Sequence, residues 1–346
     1  MDIPIQNIYF LLCYAWDKLA ERDIVDVEPI DKTSLADLFA RVLIKGTYHL
    51  VRRGFDRGYV SQHEWTPRPR GRLCFQEAIS RNLTRTGRLP CDYDELSYDV
   101  LHNQILKATM WRLIRTPGMA LELTEGLAKL CRMFSDIRDI ELTSRVFGQV
   151  QLHRNNQFYD FLLRVCELIH WNLLISERSG SSKFMDFVRD ERQMAILFES
   201  FVRNFYYIEA KEYRVKREDI HWLWKPEDKA AATLLPKMQT DISLISDTRK
   251  IIIDCKFTSK TTQLHPEAKA EAEKLRSSHL YQLHAYLSNL PKGTLNDTCE
   301  AVLLYPTVDA PLSVSYTDGG HKISILTINL SQPWQAIHED LLALVA

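Results

Sequence analysis

The feature that most constrains this chain is an acidic residue embedded in an apolar, strand-like run. Asp254 directly follows three isoleucines and precedes Cys255, Lys256 and Phe257. A charge inside a buried strand is costly unless it is paired or binds a metal ion. The run therefore predicts a buried strand in which the acidic residue has a chemical role.

A second strand-like run precedes the first, and the two predict a β-hairpin. A tight turn that pairs Asp247 with Lys250 places Asp241 opposite Lys256. Asp254 and Lys256 share one side of their strand because successive side chains alternate between the two faces. We therefore expect a triangle of two carboxylates and one ammonium group.

These residue types suit phosphodiester hydrolysis. Carboxylates such as those of Asp241 and Asp254 hold a hard, oxygen-preferring ion, for which Mg²⁺ is the obvious candidate. Such an ion polarises a phosphate and acidifies a water, while a lysine stabilises charge or orients that water. The same spacing also occurs among ordinary solvated residues at strand ends. The apolar run before Asp254 is what favours the chemical interpretation.

Two helices flank the hairpin along the chain. The preceding helix, predicted over residues 190–207, has Glu199 beside its apolar stripe, and the following helix, predicted over 267–289, places Gln282 and Tyr286 one turn apart. Each of these polar residues alone is typical of a helix surface or stripe edge. Their order around the hairpin is what makes them candidate site residues.

Later strand-like runs at 301–305 and 323–330 complete a helix–strand–strand–helix–strand order. This order predicts an α/β domain in which helices flank a mixed sheet. Earlier in the chain, helical patterns enclose short β-prone pieces, which predicts an α+β domain with a small β-rich part. Because 346 residues suffice for two domains, we expect an N-terminal domain over 1–155 and a C-terminal domain over 156–346.

Positive charge is concentrated in residues 41–90, which have eleven Lys/Arg and three Asp/Glu, although the whole chain has a formal net charge of −1. Within this segment Arg68, Arg70 and Arg72 lie on a loop that two prolines stiffen. Three interpretations remain open. The segment tracks DNA phosphates, docks on an acidic surface of a partner, or is a solvated face.

The cysteines, histidines and hydrophobic stretches of the chain predict the absence of several other kinds of site and segment. Seven scattered cysteines without a CxxC pair indicate neither a zinc site nor thiol exchange and fit a reducing cytoplasm. The histidines show no metal-ligand spacing, and we expect no catalytic role for them. We expect no membrane span and no secretion signal. Trp222 and Trp224, near basic residues, suit stacking on nucleic acid and equally suit packing in a sheet.

The ordered set of polar residues resembles the PD-(D/E)xK nuclease superfamily, particularly its RecB-like branch. The residues that carry this resemblance are Glu199, Asp241, Asp254-Cys-Lys256 and Gln282-xxx-Tyr286. The resemblance implies metal ligands at Glu199, Asp241 and Asp254, a catalytic Lys256, and a helical Gln282 and Tyr286 near the active site or DNA.

Nearly the whole chain also resembles McrC, the family of nuclease subunits of McrBC restriction systems. The motifs that carry this are Ile5 to Trp16, Pro69-Arg-Gly-Arg-Leu73, Asn103 to Thr109 and Leu234 to Ile242. The resemblance implies a Mg²⁺-dependent endonuclease for double-stranded DNA with modified (methylated) cytosine. It also implies a hexameric McrB-like AAA+ GTPase partner, which receives the N-terminal domain and whose GTPase the chain stimulates.

The chain itself has no GxxxxGK[ST] phosphate loop, in agreement with a separate GTPase partner. The resemblance favours partner binding for the three loop arginines. Two other functions stay open: a non-catalytic adaptor that activates or anchors a AAA+ ring, and a free-standing repair nuclease. An intact set of Asp241, Asp254 and Lys256 speaks against the adaptor. The large N-terminal domain, which has no helicase or sequence-reading motif of its own, makes the repair nuclease less attractive.

Overall fold

The chain folds into two compact units, and one of them is discontinuous in sequence. The main unit contains residues 3–17 together with those after 190, and the inserted unit contains residues between 34 and 178. The computed structural model describes residues 3–17, 34–80, 87–153, 157–178, 190–225, 227–258, 262–264, 273–308 and 311–346.

The helices range from one turn to six turns in length. They are α1 (Ile5–Ala15), α2 (Leu35–Arg53), α3 (Phe75–Ser80), α4 (Leu101–Ile114), α5 (Leu121–Met133), α6 (Ser144–Gly148), α7 (Gln157–Arg178), α8 (Glu191–Glu209), α9 (Lys229–Leu234), α10 (Ser277–Ser288), α11 (Thr294–Asp297) and α12 (Trp334–Ala343). In the part of the chain that is described, no helix is both long and apolar enough to cross a membrane.

The strands fall into one large sheet and three small ones. They are β1 (Gly58–Thr66), β2 (Arg72–Leu73), β3 (Leu89–Ser97), β4 (Arg214–Lys216), β5 (Asp219–Ile220), β6 (Met238–Gln239), β7 (Ile242–Ile245), β8 (Lys250–Cys255), β9 (Thr262–Leu264), β10 (Glu273–Leu275), β11 (Glu300–Thr307), β12 (Ser313–Asp318) and β13 (His321–Asn329).

The large sheet of the main unit has the strand order β12-β13-β11-β8-β7-β4. Strand β11 runs parallel to both β8 and β13, whereas the β7–β8, β4–β7 and β12–β13 pairs are antiparallel. Every residue of β8 is buried, which explains its run of isoleucines, because a strand covered on both faces needs apolar side chains on both. The predicted α/β class and mixed sheet are confirmed.

The hairpin register differs by two residues from the prediction. The turn closes between Ser246 and Arg249, where Ser246 N donates to Arg249 O over 2.9 Å, and the ladder pairs Ile242 with Ile253. The predicted pairing of Asp247 with Lys250 is therefore wrong, and Asp241 lies opposite Asp254 instead of Lys256. The predicted faces of the strands are unaffected, because a shift of two residues keeps each side chain on the same side of the sheet.

The predicted helix over 267–289 is only partly correct. The helix α10 begins at Ser277, and Glu273–Leu275 instead forms β10, which pairs with β9. The first residues of the predicted helix lie outside the described part of the chain. Helical and strand patterns are hard to distinguish in a short polar segment, since such a segment has too few apolar residues to show a period.

The inserted unit consists of the three-stranded antiparallel sheet β1-β3-β2 and a helical group in which α4 contacts α2, α5 and α7. The expected small sheet with a basic loop is present, because residues 67–71 connect β1 to β2. Gly71 in that loop has φ +68°, and a Cβ there would lie 2.3 Å from Asp92 O. The loop therefore requires glycine for both its conformation and its close approach to β3.

The division into units differs from the predicted boundary at residue 155. Helix α7 lies in the inserted unit against α4 and α2, whereas α1 lies in the main unit against α8. Asn7 of α1 donates hydrogen bonds of 2.8 Å to Leu330 O and Gln332 O, and Phe10 stacks on Trp334 with ring centroids 4.8 Å apart. Helical periodicity identifies a buried face but not the element that buries it, so the sequence did not reveal this pairing.

Candidate active site

Asp254 lies at the centre of the large sheet and is completely buried. Its Oδ2 is 2.6 Å from Lys256 Nζ, and among the described residues its Oδ1 has no hydrogen-bond partner. Burial raises the pKa of Asp254, Lys256 opposes that rise, and the charge of Glu199 adds to it. A buried carboxylate with an unpartnered oxygen is poorly stabilised as an anion, and a nearby cation would compensate its charge.

Asp241 precedes β7 and faces the end of β8. Its Oδ2 accepts a hydrogen bond of 2.9 Å from Cys255 N, which anchors the carboxylate beside Asp254. Burial first, and then the charges of Asp254 and Glu199, raise the pKa of Asp241 to about 7 against the opposing effect of Lys256. The two aspartates thus disfavour each other's ionised form, as expected for two carboxylates that share a site.

Glu199 lies on α8, the helix that packs against β8. Its Oε1 accepts a hydrogen bond of 2.9 Å from Arg203 Nη1 and lies 3.6 Å from Arg217 Nη2. The charge of Glu199 reaches both aspartates, since it raises the pKa of each. The structure therefore brings this predicted residue into electrostatic range of the site, but with two arginines as its immediate partners.

Gln282 and Tyr286 stand one turn apart on α10, as predicted, and they are hydrogen-bonded to each other. Gln282 Nε2 donates to Tyr286 Oη over 2.7 Å, and Tyr286 Oη donates to Gln239 O over 2.9 Å. Burial first, and then the charges of Asp254 and Asp241, raise the pKa of Tyr286 to about 12. This chain of hydrogen bonds ties α10 to β6, two residues before Asp241.

Two residues near Lys256, His279 and Tyr305, were not predicted from the sequence to lie at the site. His279 Nδ1 lies 2.8 Å from Tyr305 Oη, and Tyr305 follows Leu304, whose carbonyl oxygen accepts from Lys256 N over 2.9 Å. Burial first, and then the charges of Lys256 and Arg276, lower the pKa of His279 to about 4. His279 is therefore neutral near pH 7. The missed signal is its position three residues before Gln282, on the same face of α10.

The three predicted partner-binding arginines lie in the inserted unit. Arg70 Nη2 is 3.0 Å from Glu64 Oε2, and its guanidinium lies 3.6 Å from the centroid of the Tyr93 ring. Arg72 is opposite Asp92 in the β2–β3 ladder, and Arg68 is exposed on the loop. The guanidinium of Arg68 has no ion pair with any residue that the structure describes, so it differs from Arg70.

The arrangement in the main unit suits a hard divalent cation. Asp241 and Asp254 present oxygen ligands in a partly enclosed site, and oxygen is the ligand that Mg²⁺ and similar ions prefer. Lys256 supplies a positive charge to the site and is not needed as a ligand of the ion. Of the two indoles, Trp222 packs against the core cluster that includes Tyr286, and its Nε1 donates to Pro236 O, whereas Trp224 is exposed, with its ring centroid 4.7 Å from that of Trp222.

The sequence matches the model of the McrBC 5-methylcytosine restriction system component family over residues 8–306. The chain belongs to this McrBC family. A curated relative, the type IV methyl-directed restriction enzyme EcoKMcrBC of Escherichia coli strain K12, is 31% identical over 340 residues, which cover 98% of this chain and 96% of the relative. This member of the McrBC family is thus a component of a restriction system.

A structural comparison supports the fold of this McrBC family member. The similar chain belongs to a solved half-complex from the tetradecameric assembly of Thermococcus gammatolerans McrB AAA+ hexamers with bound McrC. The TM-score is 0.61 at 18% identity, with 99% of this chain and 76% of that chain covered. Because 99% of this chain is covered, the likeness extends over residues of both units.

Proposed function

We propose that this chain is the DNA-cutting subunit of a GTP-dependent restriction complex, with its active site at Asp241, Asp254 and Lys256. The observation that supports this most strongly is the fully buried Asp254, which has a lysine at 2.6 Å and an oppositely placed second aspartate. A buried acidic pair of this kind is unfavourable in the folded state unless a cation compensates its charge, and such pairs are typical of functional sites.

Mg²⁺ is the ion we propose for this site, with Asp241 and Asp254 as its ligands. The unpartnered Oδ1 of Asp254 suits an ion ligand, and a bound cation would favour the ionised form of both aspartates, whose pKa values burial raises. Glu199 would be a third ligand if it exchanged its contact with Arg203 for the ion. A bound divalent ion would polarise the scissile phosphate and lower the pKa of the attacking water.

The protein's own residues have separate tasks in this proposal. Lys256, held by Asp254, places its ammonium group where negative charge develops on the phosphate. Gln282 and Tyr286 fix the position of the segment before Asp241 through the carbonyl of Gln239. Because Tyr286 stays protonated at neutral pH, it serves as a hydrogen-bond donor and not as a base.

The proposed partner is a hexameric AAA+ GTPase, and the proposed substrate is double-stranded DNA that contains modified cytosine. Both follow from the relatives, one named as a methyl-directed restriction enzyme and the other solved with McrB AAA+ hexamers. We assign partner binding to the loop with Arg68 and Arg70 and to Arg72, which the structure places not on the loop but at the start of β2; the small sheet is otherwise acidic. Stimulation of the partner's GTPase would be a second function of the inserted unit.

The test reconstitutes the chain with its GTPase partner, methylated DNA, GTP and Mg²⁺, and measures DNA cleavage and GTP hydrolysis in parallel. Asp254→Asn removes the charge without changing the shape of the side chain. We expect cleavage to fall by roughly 1,000-fold or more while GTP turnover stays at the wild-type rate.

Asp247→Asn is the matched control, because Asp247 is exposed in the turn of the same hairpin. It should cut DNA as the wild type does. If Asp254→Asn still cuts at the wild-type rate, the active-site assignment is wrong and the adaptor function replaces it. If both variants lose GTPase stimulation, the loss reflects misfolding and the measurement is repeated with Asp241→Asn.

A further inference from the structure

A second cluster of metal-ligating side chains lies in the three-stranded sheet of the inserted unit. His63 on β1 is paired directly with Asp92 on β3, and Cys74 follows β2, which pairs with β3 from the other side. His63 Nδ1 is 2.6 Å from Asp92 Oδ1, and Cys74 Sγ is 3.0 Å from Asp92 Oδ2. One nitrogen, one sulfur and one oxygen thus lie within 4.8 Å of one another.

The sheet brings these residues together from three separate segments. Cys74 N donates to Pro90 O over 2.9 Å, which continues the β2–β3 ladder and directs the thiol toward Asp92. Ligand atoms around a tetrahedral zinc ion are roughly 3.3–3.8 Å apart, given bonds of about 2.0–2.3 Å. The cluster therefore needs only small side-chain rotations to surround an ion.

A further contact points to a ligand at His63. Its second ring nitrogen, Nε2, lies 3.0 Å from Glu77 Oε2 on α3. Histidines that bind metal through one ring nitrogen almost always donate the other N–H to a carboxylate or carbonyl, which fixes the ring and strengthens the ligand. Glu77 fulfils that requirement while leaving Nδ1 directed at the cluster.

We propose that His63, Cys74 and Asp92 bind Zn²⁺, with Glu77 as the residue that positions the imidazole. The mixed nitrogen, sulfur and oxygen set suits zinc, whereas the all-oxygen set of Asp241 and Asp254 suits Mg²⁺. Zinc binding displaces the thiol proton of Cys74 and the proton shared by His63 and Asp92 to solvent. A solvent-exposed fourth position accepts water, since the side chains of His63 and Asp92 are 46% and 47% exposed.

The bound ion would link the two ends of the basic loop. His63 precedes this loop and Cys74 follows it, so the metal would connect β1, the end of β2 and β3 at its base. The zinc site itself is independent of the function proposed above. Only its consequence for the loop depends on the proposed partner role of Arg68, Arg70 and Arg72.

The experiment uses the full chain carrying Asp254→Asn, which removes one carboxylate ligand of the other site and so weakens zinc binding there. The protein is stripped with a chelator and titrated with Zn²⁺ against a chromophoric chelator, then with Co²⁺ as a spectroscopic probe. We expect about one tightly bound equivalent and a thiolate-to-cobalt charge-transfer band. Adding Cys74→Ser should abolish the band and the tight site, and Glu77→Gln should weaken zinc binding by about 10–100-fold while keeping the band.

Cys131→Ala is the control, because Cys131 is a buried thiol on α5, away from the cluster. It should keep both the zinc stoichiometry and the cobalt band. Absence of tight zinc binding in the Asp254→Asn protein would overturn the proposal, and so would a Cys74→Ser protein that binds zinc as tightly as its parent. In either case the cluster is a hydrogen-bonded network beside Arg72. Circular dichroism of each variant establishes that it is folded.

Discussion

The acidic clusters around Asp254 and Asp92 differ in how well their surroundings compensate the charge of the carboxylate. In the main unit, Asp254 is completely buried and has one carboxylate oxygen without a described partner. In the inserted unit, Asp92 is half exposed, and each of its oxygens has a partner, His63 on one side and Cys74 on the other. Both carboxylates lie on central strands, so strand position alone does not explain the contrast.

The pKa values of the two aspartates move in opposite directions. Hydrogen bonds from His63 and Cys74 lower the pKa of Asp92, whereas burial raises the pKa of Asp254. Asp92 is therefore stabilised as an anion by its surroundings, and Asp254 is not. The comparison indicates that a deficit of compensating charge, and not the density of charged groups, distinguishes the proposed catalytic cluster.

After the loss expected for Asp254→Asn, the largest effect on cleavage should come from removing the ammonium group beside Asp254. Lys256→Gln should reduce DNA cleavage by about 100–1,000-fold, the range for loss of a preorganised charge that stabilises a transition state. Single-turnover cleavage in the reconstituted complex measures this. Lys237→Gln, at an exposed lysine paired with Asp219, is the control. A loss below 10-fold for Lys256→Gln would contradict its catalytic role.

The next effect concerns stability and tests the comparison directly. In the presence of a chelator, Asp254→Asn should raise the free energy of unfolding, because it removes a buried and poorly compensated charge. Asp92→Asn should lower it, because it breaks contacts that favour the ionised form. Urea unfolding of both variants measures the two changes. If both substitutions changed the free energy of unfolding in the same direction, the two carboxylates would not differ in how well their charge is compensated.

The pH dependence of stability should reveal the titration of Asp241, whose carboxyl group lies beside Asp254. Its pKa in the folded protein is about 7, above the ordinary value of 3.8. Between these values the folded state binds more protons than the unfolded state, so its stabilising contribution is complete below about pH 4 and is lost as the pH rises through about 7. Without metal, unfolding free energies should therefore decline across this range.

Asp241→Asn should flatten that decline, and Mg²⁺ should bind more tightly as the pH rises past 7 because protons then no longer compete for the carboxylates. Calorimetric Mg²⁺ titrations at pH 6 and pH 8 compare the two conditions. Equal affinity at both pH values would show that Asp241 is ionised at pH 6 as well as at pH 8. Its pKa would then not be raised by its surroundings.

A smaller effect is expected on the basic loop. Arg68→Glu should weaken the complex with the GTPase partner by about 10-fold, since it reverses a charge at the proposed interface. Arg132→Glu reverses an exposed charge on α5 and is the control. GTPase stimulation as a function of subunit concentration measures both. Equal behaviour of the two variants would favour a solvated loop or a DNA contact over partner binding.

The smallest effect is expected for Tyr286→Phe, which removes one hydroxyl from the chain between Gln282 and Gln239. The loss of a hydrogen bond to a carbonyl should cost about 1 kcal/mol of stability. Cleavage should fall only a few-fold, because the residue positions the Asp241 segment and does not carry charge. Tyr281→Phe, at an exposed position on the same helix, should leave both quantities unchanged.

The sequence predicted the parts of the main unit that depend on repetitive burial. The isoleucine run predicted the buried strand β8, and the apolar stripe predicted the helix α8. Both elements are present. The register was missed because the turn closes one residue earlier, where the Ser246 hydroxyl accepts from Arg249 N over 3.0 Å. A hydroxyl cap of this kind leaves no period in the sequence.

Contacts between distant segments were not predictable from one sequence. His63 and Asp92 are 29 positions apart and meet only through antiparallel pairing. His279 and Tyr305 meet because α10 packs on β11. Local spacing identifies neighbours on one helix or strand, whereas these pairs depend on which elements fold against each other.

The discontinuity of the main unit also determines how the protein can be made and dissected. Helix α1 buries Tyr14 against Phe201 and Phe205, yet almost 200 residues separate these partners along the chain. During synthesis, this apolar helix leaves the ribosome long before the strands and helices that shelter it. A recombinant fragment beginning at residue 156 would lack α1 and expose the aromatic surface of α8 to aggregation. Two fragments cut between the units could reassemble only if residues 3–17 remained available to the later piece.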